Sequence, residues 1–387
     1  MGKDLQDPGR RKTGRGDAMI YLDSGATSFP KPPEVKQAVA GALENCGNPG
    51  RGGYDGAMEA ARQVYECRVL AGQLFDCQPE QVVMTGSCTQ GINMAVRSLF
   101  HPGDRVVISG FEHNAVTRTL EGLGIQSVIA GRKLFDWQDT LDAFKDALDQ
   151  GVQGAVFTHI SNVFGYILPV NQMAELCRER EIPFILDAAQ SAGMTDLSLK
   201  ALGADYIAMP GHKGLLGPMG TGLLLCKKPG KPLVFGGTGT NSESPLMPEF
   251  LPERMEAGTL NVPGIAGLAA GIRLILREKP QKIGRREADL AEFAGENMKQ
   301  RGFSVFRGPH QAGTFSFLPQ GDCQDAAAFL ASHGIAVRAG LHCAPLAHES
   351  AGTLKTGTVR VSFGYGSDYI ETKQFLQALS GICGRIS

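Results

Sequence analysis

Short apolar runs alternate along the chain with stretches whose apolar residues recur every three or four positions. Residues 82–85, 106–109, 155–158, 184–186, 206–209 and 221–226 are continuous apolar or β-branched runs of strand length. Between them, Ile92/Val96/Leu99, Leu141/Phe144/Leu148 and Met173/Leu176/Cys177 each fall on one face of a helix. This alternation predicts an α/β fold with a mostly parallel central sheet, in which ligands collect beyond the carboxyl ends of the strands.

The texture changes after about residue 263. One long helical stretch, 265 to about 301, leads into strand-like runs at 304–306, 314–318, 336–338 and 359–363, a helix near 325–333 and a final helix from Tyr369. The expected organisation is a lead-in at 1–18, a large domain at 19–262 and a smaller α+β domain at 263–387. Segment 236–252, rich in Gly, Thr, Ser and Pro, reads as a long functional loop or lid.

Composition narrows the function classes. A formal charge of −1 gives no electrostatic case for nucleic acid or an anionic membrane. Nine cysteines without CxxC or Cys/His zinc spacing argue for a reducing compartment and against a disulfide scaffold or structural metal. No apolar run reaches the length of a membrane span. The polar start, with Arg10, Arg11, Lys12 and Arg15, predicts a disordered lead-in, native or not, with Met19 as an alternative start. A cytoplasmic protein is expected.

Chemistry-bearing residues fall just after the predicted strands. Met209-Pro210-Gly211-His212-Lys213-Gly214 sets a lysine among small residues at a strand end, a placement suited to holding an aldehyde as a Schiff base. Thr85-Gly86-Ser87-Cys88-Thr89-Gln90 joins a strand to a helix, which suits a phosphate, or serves only as an N-cap. Asp187 closes an apolar strand and needs a cation or donors. A protonated pyridine nitrogen meets that need, and capping of the next turn is the alternative. Glu112-His113-Asn114 and His159-Ile160-Ser161-Asn162 follow two further strands. In the small domain, Cys343 lies in a Gly/Pro/His loop, and strand residue Arg360 suits a carboxylate clamp or a structural ion pair. There is no Walker pattern and no GxGxxG between strand and helix.

Together with Tyr21-Leu22-Asp23-Ser24-Gly25-Ala26-Thr27-Ser28, Asn48-Pro49-Gly50-Arg51-Gly52 and Glu256-Ala257-Gly258-Thr259, these segments resemble the class V aminotransferase superfamily of pyridoxal-phosphate enzymes. Within it they resemble the cysteine desulfurases, and Arg338–Ala344 is similar to the type II, selenocysteine lyase-like branch. The resemblance implies the aspartate aminotransferase-like transferase fold, called fold type I, with pyridoxal 5'-phosphate as cofactor. It implies Lys213 as the Schiff-base lysine, Asp187 as partner of the ring nitrogen, His113 stacked on the ring and Gln190 on the ring hydroxyl. Thr89, the backbone at Cys88, and His212 would hold the phosphate, with Thr259 reaching the phosphate of a neighbouring subunit in a homodimer. Arg360 and Asn162 would bind the amino-acid carboxylate, and Cys343 would take sulfur from L-cysteine, or selenium from L-selenocysteine, for an acceptor protein or a reductant.

Pro210, Tyr54 and Cys88 depart from the pattern, where a hydroxyl residue, a histidine and a threonine are frequent, and they suggest a side branch. The alternatives are another class V reaction (transamination, epimerisation or kynureninase-like cleavage) and a catalytically silent scaffold.

Overall fold

A computed structural model describes residues 19–50 and 52–383, with side chains through Ser380. The 1–18 lead-in and Arg51 lie outside the described residues. The first strand is β1 (Ile20–Tyr21). The next seven are β2 (Val82–Thr85), β3 (Arg105–Ser109), β4 (Gln126–Ala130), β5 (Gly154–Thr158), β6 (Phe184–Asp187), β7 (Tyr206–Pro210) and β8 (Gly222–Cys226). They form one sheet in the order β2-β8-β7-β6-β5-β3-β4. Only β8 runs antiparallel to its neighbours. Strands β2, β5, β6, β7 and β8 are buried along their whole length, as their unbroken apolar runs require.

Because β8 reverses direction between β2 and β7, the carboxyl ends of the other six strands share one rim. Thr85 and Pro210 both pair with Gly222, and Thr158 pairs with Asp187. The segments at Thr85–Gln90, Glu112–Asn114, His159–Asn162, Asp187 and Lys213 each leave a strand at this rim.

The smaller sheet holds β9 (Ser304–Phe306), β10 (Thr314–Leu318), β12 (Arg338–Gly340) and β13 (Thr358–Ser362), antiparallel in the order β12-β13-β10-β9. A separate short strand, β11 (Ile335–Ala336), pairs in parallel with β1. Ile20 and Leu22 therefore pack with Phe315, Phe317, Val361 and Phe375 in the core of the smaller domain. The first described residues thus belong to the smaller unit, and the chain passes to the other after Asp23.

The single helical stretch expected after residue 263 is two helices, Val262–Glu278 and Pro280–Gln300. Pro280 lacks an amide hydrogen and crowds the residue before it, and Lys279 turns to φ +72° at the break. The first of these helices buries Val262, Ile265, Leu268, Ile272 and Ile275 in the large-domain core. It lies so close to the loop after Lys213 that a Cβ on Gly271 would sit 2.3 Å from the Leu215 carbonyl oxygen.

Candidate active site

Lys213 follows β7 by three residues, and among the described residues no hydrogen bond or salt bridge ties down its amine. Desolvation, then the Arg360 guanidinium, hold its pKa below the ordinary lysine value, while Asp187 pulls the other way. A loose, readily deprotonated amine is what condensation with an aldehyde needs. Asp187 is 2% exposed. Its Oδ1 accepts from the Ala189 amide at 2.8 Å and from the Cys88 thiol at 3.4 Å. No basic side chain forms a salt bridge with it among the described residues. A buried carboxylate without a cation is costly, so the site suits a protonated ring nitrogen.

The turn after β2 caps the helix Cys88–Leu99. Ser87 Oγ accepts from the Gln90 amide at 3.1 Å, and the Gln90 side chain bonds Gly86 N at 2.7 Å. The capping alternative therefore holds for Ser87, while Thr89 stays exposed at the first turn, where amides and dipole favour an anion. On the other flank, His212 Nδ1 meets Thr27 Oγ1 at 3.0 Å. Burial, then Lys213 and Lys31, push His212 down to about 4, so its imidazole is neutral. Donor set, uncompensated carboxylate and free amine together fit pyridoxal phosphate.

The remaining large-domain candidates converge on the same rim. His113 Nδ1 accepts from the Ala115 amide at 3.0 Å, which fixes the ring as the cap of helix Asn114–Gly122. Its pKa is lowered, chiefly by burial. Gln190 donates to the Gly25 carbonyl at 3.1 Å. Thr259 is exposed and shares a cleft of about 170 Å³ with Thr85, Gly86 and Gln90 of its own chain. It also lines a second cleft with Tyr54, which is 59% exposed.

The small domain delivers Arg360 and Cys343. Arg360 is 1% exposed and bonds Asp23 Oδ1 at 2.5 Å and the Asn162 carbonyl at 3.0 Å. Of the two readings of Arg360, the structural ion pair is present in this state. Asn162 donates its side-chain amide to the His342 carbonyl at 2.7 Å. The exposed Cys343 is held by its carbonyl, which accepts from the Asn114 amide at 2.7 Å. The thiol loop is thus anchored beside His113 and Asn162.

Three neighbours escaped the sequence reading. Asp23 sits in a recognised segment, but its pairing with Arg360 spans 337 positions. Glu112 is fully buried, accepts from Ser109 Oγ and the Thr158 amide, and is pushed up to about 8 by burial. An acidic residue directly before His113 at a buried strand end was the available signal. Arg338 stands opposite Arg360 in the β12–β13 register and adds positive potential at Lys213 and His113. Arg338 and Arg360 both lie on predicted strands, but pairing register was not legible.

Comparison with known proteins agrees with this geometry. The family model for aminotransferase class-V matches residues 20–375. A probable cysteine desulfurase of Methanothermobacter thermautotrophicus is 31% identical, the match covering 94% of this chain and 95% of that one. Another from Pyrococcus abyssi is 32% identical, covering 93% of each. A solved apo structure of cysteine desulfurase from Thermococcus onnurineus superposes with a TM-score of 0.86 at 30% identity, over 94% of each chain. With a rim that fits pyridoxal phosphate and relatives aligned over nearly its full length, the chain belongs to the aminotransferase class-V family, among its cysteine desulfurases.

Proposed function

We propose that this protein is a pyridoxal-phosphate-dependent cysteine desulfurase that converts L-cysteine to L-alanine and receives the sulfur on Cys343 as a persulfide. One observation carries the reading. The unpaired Lys213 amine and the uncompensated Asp187 carboxylate share a rim with the exposed Cys343, whose loop is bonded to the residue after His113. When bound, the cofactor supplies an electrophilic carbon for amines and a ring that withdraws electrons from the substrate.

The protein's part is placement and proton handling. Asp187 keeps the proton on the ring nitrogen, His113 covers the ring face, and Gln190 orients the ring hydroxyl. Thr89, the Cys88 amide and His212 bind the phosphate, joined by Thr259 across a homodimer interface. Arg360 and a free amide hydrogen of Asn162 take the substrate carboxylate, and Lys213 moves the proton at the substrate α-carbon. The Cys343 thiolate then attacks the substrate sulfur: a sulfur–sulfur bond forms, the carbon–sulfur bond breaks, and the carbon fragment leaves as alanine after protonation. The persulfide passes to an acceptor protein, as in iron–sulfur cluster assembly, in the cytoplasm. L-Selenocysteine is the other substrate of matching chemistry. Among the described residues no helix is long and apolar enough to cross a membrane.

The test is incubation of the holoprotein with L-cysteine, quantifying alanine, sulfide and alkylatable persulfide on Cys343. Equimolar alanine and persulfide are expected in a single turnover. Undiminished alanine release by Cys343→Ala would remove persulfide formation at that residue. Colourless protein that gives no adduct on borohydride reduction with added cofactor would return the silent scaffold.

A further inference from the structure

The Cys343 thiol sits on an unusual piece of backbone. His342 and Cys343 adopt φ of +50° and +57°, two successive non-glycine residues in the left-handed region. Each such residue crowds its Cβ against the backbone, so surrounding contacts must hold the pair. Three do. The Asn114 amide bonds the Cys343 carbonyl at 2.7 Å, the His342 ring meets the Thr358 carbonyl at 3.2 Å, and the Asn162 side chain bonds the His342 carbonyl at 2.7 Å.

The third tether differs from the others. Asn162 is 7% exposed and its own carbonyl accepts from Arg360, which is paired with Asp23. A continuous chain of bonds therefore runs from Asp23 through Arg360 and Asn162 to the residue before Cys343. An amide nitrogen carries two hydrogens, so one can hold the loop while the other meets a carboxylate.

We propose that Asn162 is a positioning residue for Cys343, fixing the strained His342–Cys343 turn so that the thiol faces the substrate sulfur. The inference deepens the desulfurase reading and rests on it. It gives Asn162 a task that is separate from carboxylate binding and that persists after the substrate is bound. Loss of the tether lets the turn relax toward right-handed backbone and misplaces the thiol. A displacement of about 1 Å at a reacting group costs up to roughly 100-fold in rate.

The experiment compares wild type, Asn162→Ala and Asn162→Asp holoenzymes, the last keeping the side chain's size while removing its donors. Hydrogen exchange is followed in the peptide spanning 338–346, and persulfide formation on Cys343 is followed at saturating L-cysteine. Binding of L-alanine, read from the cofactor spectrum, reports carboxylate capture alone. Both variants are expected to exchange about 5-fold or more faster in that peptide, the equivalent of one lost hydrogen bond. Persulfide formation should stay about 10-fold or more below wild type however much cysteine is added.

Unchanged exchange, or recovery of persulfide formation at high cysteine with the whole defect in L-alanine affinity, would make Asn162 a carboxylate ligand only and overturn the proposal. Wild-type protein that forms no persulfide would sink the desulfurase reading instead. Unfolding of Asn162→Ala is controlled by Asn162→Asp.

Discussion

Glu256→Ala should be among the most damaging single substitutions away from the reacting atoms. Arg68 and Glu256 form a two-pronged ion pair, with N–O distances of 2.6 and 3.0 Å and both side chains 8% exposed. Glu256 Oε1 also accepts the Met84 amide at 2.5 Å, and Arg68 reaches the Val82 carbonyl. The pair thus fastens β2, which feeds the phosphate-type turn, to the segment that carries Thr259. Removing the carboxylate strands a buried guanidinium and an amide of β2, a loss of about 3–5 kcal/mol. Against a total stability of about 5–15 kcal/mol, that is roughly a fifth or more. Urea denaturation followed by tryptophan fluorescence at Trp137 and by circular dichroism measures it. Retention of cofactor absorbance after dialysis reads the effect on the turn. Replacing both partners, Arg68→Met with Glu256→Leu, should recover most of the loss, because no buried charge is then left alone. A cost under about 1 kcal/mol for Glu256→Ala, or a double variant as unstable as the sum of its parts, would refute the reasoning.

Lys213→Ala incubated with pyridoxal phosphate and borohydride should show no added mass at position 213, whereas wild type gains one cofactor; an unchanged adduct there would refute the assignment. Arg360→Lys should raise half-saturation for L-cysteine and lower stability by about 3 kcal/mol or more, since an ammonium cannot span both Asp23 and the Asn162 carbonyl; thermal unfolding and initial rates check both. Glu112 keeps its proton to about 8 when folded, against an ordinary carboxyl value near 4.3, so the folded state binds more protons between those limits. Its stabilisation is complete below the lower limit and is lost as pH rises through the upper one, by at most about 1.4 kcal/mol per pH unit. Glu112→Gln should flatten that part of the slope of the urea midpoint against pH, leaving the share of Glu287, which is also raised to about 8.

The large domain was legible because its strands are buried along their length, and burial on both faces writes itself as an unbroken apolar run. Strand β4 was missed for the converse reason. It is the edge of the sheet, with Gln126, Ser127 and Ile129 exposed, and it shows neither an apolar run nor a clean alternation. The helix break at Pro280 was legible in principle, since proline constrains the residue before it, but continuing apolar periodicity on both sides hid the interruption.

The site divides along the same line. Lys213, Asp187, His113 and Asn162 each sit one to four residues beyond a strand that could be read, so topology alone gathers them on one rim. What joins that rim to Cys343 depends on residues far apart in sequence. Arg360 finds Asp23 only because β1 leaves the large domain to pair with β11, and Asn162 meets His342 across 180 positions. The first contact needs the N-terminal strand to be placed in the smaller domain, and nothing in a two-residue strand announces that. The second needs a backbone carbonyl to be aimed by two left-handed residues that are not glycines, the least sequence-coded conformation available. The cofactor-holding half of the site therefore follows from local pattern, whereas the geometry that presents the thiol is tertiary. Substitution of Asn162 should therefore spare cofactor binding while altering sulfur transfer, because its bond to the His342 carbonyl touches neither the helix at Cys88 nor the amine at Lys213.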